Sequence, residues 1–332
     1  MGLRGYLTKR AIVALVTLFV IATLNFMIFQ VISPLDPTRT FVDPKFTKAM
    51  RDALLAQYGL LEPIQTRYIK YITNIFTWNF GISFATMTPV VNELAWRLPN
   101  TVLLLGTALI GTVLVGLPLG MLAASRRGKK LDMLTLAGGL FANGVPVFFI
   151  QLIFLLFFSY YMFIWFGFQF FPSRGMVSIP APTDPIRYAA DVLWHLAQPA
   201  LSLIVGGFGG WALYIRNMMI DALTQDYITT ARAKGLSERS VLYRHAFRGI
   251  LPPIVTILAL SIPGIVTGAV ITEYIFTWPG IGSWYLAGLL GADFPVVQAV
   301  FFLYALLMLI ANLVADLLYG VLDPRVRVGI RR

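Results

Sequence analysis

Apolar residues in this chain fall in long runs, with polar residues gathered between them. Six runs stand out: Ala11–Ser33, Thr101–Ala124, Met133–Tyr161, Pro199–Ile215, Ile250–Ile275 and Pro295–Tyr319. A bilayer core about 30 Å thick takes roughly 20 residues of helix. The pattern therefore predicts an all-α integral membrane protein with six transmembrane helices. Pro199–Ile215 is the shortest run. The first run follows Arg4, Lys9 and Arg10, a basic start like that of a signal peptide. Its apolar part is too long and no small-residue cleavage site follows, so it reads as a retained anchor helix.

The connections differ in character. Residues 34–100 are too many for a turn and predict a small helical insertion after the first span. Asp43-Pro44 reads as an N-cap with proline at the first helical position. Phe46, Met50 and Leu54 follow at four-residue spacing, and Gly59 can end that helix. Ile64, Tyr68 and Ile72 predict a second short amphipathic helix. The insertion reads as a packed outer cap, a docking surface for an external partner, or both. The other long connection, 216–250, is polar and helix-compatible, and passive loops between neighbouring spans need only a few residues. The chain thus divides into an N-terminus and first span (1–33), the insertion (34–100), a five-helix core with its long connection (101–321), and a basic tail (322–332).

Composition supports the membrane reading. Of 332 residues, 58% are hydrophobic and 12% charged, against about 25% charged in an average soluble domain. The net charge of +11 reads as basic loops on the cytoplasmic side rather than a nucleic-acid surface. With the N-terminus inside, the inner segments 1–10, 125–132, 216–250 and 322–332 carry basic residues several times more densely than the outer ones. That bias places both termini in the cytoplasm. The chain has no cysteine, which excludes disulfides, thiolate metal sites and a cysteine nucleophile.

Catalytic chemistry is not evident. There is no G-x-x-x-x-G-K-[ST] loop to cradle ATP phosphates. Gly206-Gly207-Phe208-Gly209-Gly210 lacks the lysine and lies in a span. Gly116 with Gly120, and Gly264 with Gly268, share a four-residue spacing that suits close helix packing. His195 and His245 stand alone, without metal-ligand spacing. Charges within the spans are scarce: Glu273 falls near the outer end of the fifth and Asp316 near the inner end of the sixth. A proton-driven transporter would show a relay of such groups, so energy is expected from a separate protein acting on 216–250.

That connection contains Asp226-Tyr227-Ile228-Thr229-Thr230-Ala231-Arg232-Ala233-Lys234-Gly235-Leu236, and later Arg248-Gly249-Ile250-Leu251-Pro252-Pro253. It resembles the cytoplasmic "EAA" loop of importer-type ABC transporter permeases, in the Y-x-x-x-A-R-A-K-G-L form of the dipeptide/oligopeptide group. Aligned on Gly235, the Glu-Ala-Ala positions hold Thr229, Thr230 and Ala231. The missing Glu and the later Pro resemble the oligopeptide branch. Further stretches similar to the same family occur in order along the chain. They include Tyr58-Gly59-Leu60 with Pro63, Asn79-Phe80-Gly81-Ile82-Ser83-Phe84 with Pro89-Val90, and Arg97-Leu98-Pro99-Asn100-Thr101. Pro146-Val147-Phe148, His195-Leu196-Ala197-Gln198-Pro199 and Glu273 to Gly282 follow. Asp293-Phe294-Pro295-Val296-Val297-Gln298 and Asp323-Pro324-Arg325 complete the series.

The resemblance implies a type I ABC importer permease fold, of the "B" type in the peptide/nickel group. It implies a second, homologous permease, two cytoplasmic ABC ATPases that hold ATP and magnesium, an extracytoplasmic solute-binding protein, and residence in the cell membrane. It implies no cofactor, metal or catalytic residue in this chain and no nucleic-acid partner. The residues it assigns to ATPase coupling are Tyr227, Thr230, Ala231, Arg232, Ala233, Lys234, Gly235 and Leu236. Small side chains at Ala231 and Ala233 would permit close docking, and Arg232 and Lys234 would orient it or anchor the loop at lipid headgroups. Glu273, Trp278, Pro279, Gly280 and Gly282 read either as an outer gate or as a turn that redirects the chain. Pro118 and Pro146 either kink helices around the pathway or are simply tolerated in them. Peptides are the expected cargo, with oligosaccharides, nickel chelates or another small solute as alternatives. A self-sufficient channel, a secondary transporter, or a membrane enzyme using His195 and Glu273 are the readings from other classes.

Overall fold

The structure is a computed structural model, and it describes residues 3–32, 56, 59, 61–267 and 270–322. The helix expected around Phe46, Met50 and Leu54, Tyr58, Leu60, Gly268 and the tail from Asp323 lie outside the described residues. The described residues are helical apart from loops and a single antiparallel bridge, Ile82 to Pro89. α1 (Leu3–Met27) passes into a π-type turn, Ile28–Ile32. α2 (Ile64–Phe76) is the second amphipathic helix of the insertion. Its Tyr71, Ile72 and Ile75 pack on Leu18 and Ala22 of α1 and on Phe302.

α3 (Val90–Ser125) and α7 (Pro185–Leu223) have 36 and 39 residues. At 1.5 Å per residue both exceed about 50 Å, well beyond a bilayer core. The sequence expectation placed them at Thr101–Ala124 and Pro199–Ile215, because hydropathy marks only the apolar stretch. Their polar ends are stabilised locally. Glu93 and Arg97 pair at 2.8 Å one turn apart in α3. Asp184 caps α7 by accepting from the Arg187 amide at 2.9 Å, with Pro185 in the first turn. α3 and α7 form the most extensive helix pair of the bundle. Glycines create that contact. A Cβ on Gly116 would lie 2.6 Å from the Trp211 Cβ, and one on Gly120 2.5 Å from the Ala212 carbonyl oxygen. Gly209 meets the backbone of Gly139 just as closely.

The third expected span is broken. α4 (Lys130–Gly144) ends where Val145 turns extended, with ψ 125°. Pro146 then precedes α5 (Val147–Phe154), a π-type stretch (Leu155–Tyr161) and α6 (Met162–Phe166). Proline disfavours helical geometry in the residue before it and lacks the amide the helix needs. Pro146 therefore starts a new helix rather than bending one. The membrane-length helix of this region is Val147–Phe166.

After α7 come the short α8 (Asp226–Ala233), α9 (Phe247–Thr267), α10 (Val270–Ile275), α11 (Ile281–Leu290) and α12 (Phe294–Leu322). Among the described residues, five helices are long and apolar enough to cross a membrane: Thr8–Val31, Val90–Ser125, Val147–Phe166, Pro185–Leu223 and Phe294–Val314. The expected fifth span, Ile250–Ile275, carries α9 followed by α10. Large apolar side chains cover the outside of the bundle, among them Ile12, Leu15, Ile110, Leu114 and Phe141. In a water-soluble protein so much contiguous apolar surface would be a liability. Here it is a surface for lipid.

Candidate functional site

Two regions at opposite ends of α7 carry the residues singled out in the sequence. Leu196 of α7 belongs to the apolar cluster at one end, and Met219 to the cluster at the other. At 1.5 Å per residue they are roughly 35 Å apart.

At the Met219 end the chain leaves α7, makes a two-residue turn, and forms α8. Ile228 and Ala231 are buried in a cluster with Met121 and Ala124 of α3, Ile215, Met219 and Ala222 of α7, and Val241, Leu242 and Ala246 leading into α9. Their three-residue spacing puts them on one helical face. Tyr227, Thr230, Arg232 and Ala233 are exposed on the rest of α8, as are Lys234, Gly235 and Leu236 just beyond it. Ala231 thus fastens the helix to its own chain, while Ala233 faces outward. Gly235 takes a left-handed conformation, φ +75°, which stops the helix at little cost for glycine. Ser237 then caps the next helical turn through the Ser240 amide. Arg232 reaches forward to Glu238 with two hydrogen bonds, 2.9 and 3.3 Å. The Tyr227 hydroxyl lies over Gly249, where a Cβ would stand 2.7 Å from it. Arg232 and Tyr227 belong to the stretch singled out in the sequence, but spacing alone does not pair them with Glu238 and Gly249.

At the other end, residues 273–283 wrap around a buried carboxylate. Glu273 is fully buried. Its side chain accepts from the Thr101 hydroxyl at 2.7 Å and the Ser283 amide at 2.9 Å. Thr101 Oγ1 in turn accepts from the Ile281 amide at 2.9 Å. Asn100 donates to the Pro279 carbonyl, and the Trp278 indole donates to the Asn100 carbonyl, both at 2.9 Å. Trp278 is fully buried against Leu104, Leu196 and Ala200. Gly280 sits directly on the Glu273 carboxylate, where a Cβ would collide. A Cβ on Gly282 would lie 2.9 Å from the Val270 Cα. The five residues Glu273, Trp278, Pro279, Gly280 and Gly282 therefore form one knotted turn, clasped by Asn100 and Thr101.

Other stretches quoted from the sequence meet nearby. The Ser83 hydroxyl and the Ala85 amide donate to Asp293 Oδ2 at 2.6 and 3.1 Å. Ser159 donates to the Gln198 side chain at 2.8 Å, and Gln151 to Thr272 at 2.6 Å. Arg97 lies 5.1 Å from the Trp96 ring and 5.3 Å from the Trp284 ring, within cation–π range. A cavity of about 890 Å³ opens beside the turn. Its lining includes Arg97, Leu152, Tyr274, Trp278, Trp284 and Asp293. It combines a largely apolar wall with the Arg97 cation, while the carboxylates of Glu273 and Asp293 behind the wall are buried and already hydrogen-bonded. His195 is 5% exposed and bonds the Asp191 carbonyl one turn back at 2.8 Å. It and Glu273 are engaged in separate hydrogen-bond networks.

Comparison with known proteins gives a consistent result. The profile of the binding-protein-dependent transport system inner membrane component matches residues 116–328. The N-terminal profile of binding-protein-dependent transport system membrane components matches residues 3–105. The oligopeptide transport system permease protein AppB of Bacillus subtilis is 34% identical over 323 residues, covering 97% of this chain and 99% of AppB. The dipeptide transport system permease protein DppB of Lactococcus lactis subsp. cremoris has the same identity and the same coverage. DppB of Escherichia coli K12 is 32% identical over 340 residues, covering 97% of this chain and 98% of that protein.

Proposed function

Because the chain belongs to the family of binding-protein-dependent transport system inner membrane components, we propose that it forms half of the translocation pathway of an ATP-driven peptide importer. It sits in the cell membrane with both termini cytoplasmic. It pairs with a second, homologous permease above two ATPases that bind ATP and magnesium, and receives cargo from an extracytoplasmic solute-binding protein. ATP hydrolysis belongs to the ATPases, and this chain performs no bond chemistry.

The observation that carries the reading is α8. It is a short helix with one buried seam and an otherwise exposed surface, set on a packed platform at the end of the two longest helices. Such a helix is a handle. When ATP closes the ATPase pair, Tyr227, Thr230, Arg232, Ala233 and Lys234 are the groups presented to it. The platform under Ile228 and Ala231 takes up the displacement. α7 belongs both to that platform and to the cluster around Trp278, so a rigid displacement at one end is felt at the other. The Glu273 turn then acts as a firm abutment beside the cavity through which cargo passes.

Peptide cargo rests on the names of the relatives, an oligopeptide and two dipeptide permeases, and on the charged and apolar lining of the cavity. The exposed ring of Tyr274 in that lining also suits stacking on a sugar, which keeps an oligosaccharide as the second reading. Native mass spectrometry of the gently extracted complex, followed by uptake into proteoliposomes, tests both. We expect a second permease, two ATPases and ATP-dependent uptake of a labelled dipeptide or oligopeptide. Uptake of oligosaccharide alone would transfer the assignment to the second reading. A chain recovered without any ATPase under several gentle extractions would overturn the importer assignment.

A further inference from the structure

One polar contact at the α8 end lies outside everything assigned above. Asp132, in the first turn of α4, and Arg216, near the end of α7, form a two-point ion pair. Arg216 Nη2 donates to Asp132 Oδ2 at 2.8 Å, and Nε donates to Oδ1. The Gly128 amide donates to the same Oδ2 at 2.8 Å, fixing the preceding turn. The Asp132 side chain is 3% exposed and that of Arg216 14%. A fork of two parallel N–H bonds constrains orientation as well as distance, which a single point contact does not.

The position of the pair gives it mechanical consequence. Arg216 follows Ile215, one of the α7 residues in the platform beneath Ile228. Further along the same two helices, Gly139 of α4 and Gly209 of α7 touch backbone to backbone. α4 therefore packs on α7 through Gly139 with Gly209 and Asn143 with Gly210, and the ion pair adds a directional hold at its other end, nearer the platform, against pivoting about that packed contact. α4 ends at the Pro146 break, beyond which α5 carries Gln151. That side chain donates to Thr272, the neighbour of Glu273 in α10, and Leu152 lines the cavity.

We propose that Asp132 and Arg216 are positioning residues for transport. They make α4 move with the α8 platform, so that displacement of α8 reaches α10 and the cavity wall through α4 and α5 as well as through α7. Without the pair, α4 pivots about the Gly139–Gly209 contact and the displacement of α8 is lost before the break at Pro146. Coupling of this kind is separable from assembly, because it shows in the ratio of uptake to hydrolysis. The inference rests on the importer reading of the preceding subsection.

The experiment uses the complete transporter, with its binding protein, in proteoliposomes. ATP hydrolysis and peptide uptake are measured on the same preparations and normalised to assembled complex. The variants are Asp132→Asn, Arg216→Lys and the exchange Asp132→Arg with Arg216→Asp. We expect Asp132→Asn to retain hydrolysis within about two-fold while uptake falls about ten-fold or more, each ten-fold corresponding to one factor of ten in coupling. Arg216→Lys keeps the charge but loses the fork, and should lie between Asp132→Asn and the unaltered protein. The exchange should restore part of the uptake lost in the single variants. Hydrolysis and uptake falling together in every variant, or an unchanged ratio of uptake to hydrolysis in Arg216→Lys, would overturn the proposal. Absence of ATP-driven uptake in the unaltered transporter would instead overturn the importer reading itself. Should Asp132→Asn fail to assemble, Arg216→Lys alone decides.

Discussion

The α8 end and the turn end of α7 are built on opposite principles. Around Glu273 the groups that close the turn are directed inward, the Ser283 amide and the Thr101 hydroxyl onto the carboxylate and Trp278 and Pro279 onto Asn100, and Trp278 seals the knot. Around α8 only Ile228 and Ala231 are directed inward, and the helix offers most of its surface to the outside. A region that satisfies its own hydrogen bonds in the fold is a fixed part. A region that is anchored along one seam and leaves the rest uncovered is a part made to be gripped. On the proposed reading, the difference would suit the two stretches to different duties, one holding the frame and the other receiving force.

The contrast can be broken most severely at the carboxylate. Glu273→Ala should abolish accumulation of folded protein or lower its stability by about 3 kcal/mol or more, because the Ser283 amide and Thr101 hydroxyl would be left buried without their acceptor. Glu273→Gln keeps the shape and one acceptor, and should be milder. Thermal unfolding in detergent measures both. If Glu273→Ala folds and melts like the unaltered protein, the turn is not held by its carboxylate.

Next in size is a dependence on pH at the α8 end. The Arg216 guanidinium hydrogen-bonded to Asp132 holds its carboxyl below the ordinary carboxylate range. A carboxylate depressed in the folded state contributes stability above its unfolded value, about 3.9. That contribution is lost as pH falls through the lower folded value. The melting temperature of the unaltered protein should therefore drop more steeply below about pH 4 than that of Asp132→Asn. Parallel curves for the two proteins would contradict this.

Smaller still is Gly280→Ala, which forces a methyl against the Glu273 carboxylate and should cost about 1–3 kcal/mol. The same change at Gly264, where a Cβ meets nothing within 4 Å, serves as the control. Smallest is Arg232→Ala on α8. Its pair with Glu238 is exposed, and exposed pairs contribute only about 0–1 kcal/mol. Stability should scarcely move, while ATP hydrolysis stimulated by the binding protein should decline. A large loss of stability there would show that α8 is as internally committed as the turn.

Much of this was legible in the sequence, for physical reasons that also mark where legibility ends. Long apolar runs revealed the membrane helices, since lipid demands them. They missed the extensions of α3 and α7, where polar residues such as Glu93, Arg97 and Asp184 are interleaved with a few buried apolar ones, Val90, Leu94, Met219 and Ala222 among them, and leave no continuous apolar run. Pro146 was visible, yet its neighbours are apolar on both sides, so hydropathy ran straight through the break. The residues of α8 and of the Glu273 turn were identified through resemblance. Which faces of α8 are buried, and the clasp of Asn100 and Thr101 on residues 273–283, depend on contacts between positions up to 180 residues apart. No local pattern encodes such a pairing. The same holds for Asp132 and Arg216, which lie 84 residues apart.

The central claim, that α8 is gripped by an ATPase along its exposed face, is most directly tested by cysteine crosslinking. The chain has no cysteine of its own, so single cysteines report cleanly. Thr230→Cys and Ala233→Cys, on exposed positions, are compared with Ala231→Cys, on the buried seam, in the assembled transporter with and without ATP. The account predicts that Thr230→Cys and Ala233→Cys crosslink to an ATPase subunit with a yield that changes when ATP binds, and that Ala231→Cys does not crosslink. Equal crosslinking at all three positions, or an ATPase captured at none of them, would contradict it.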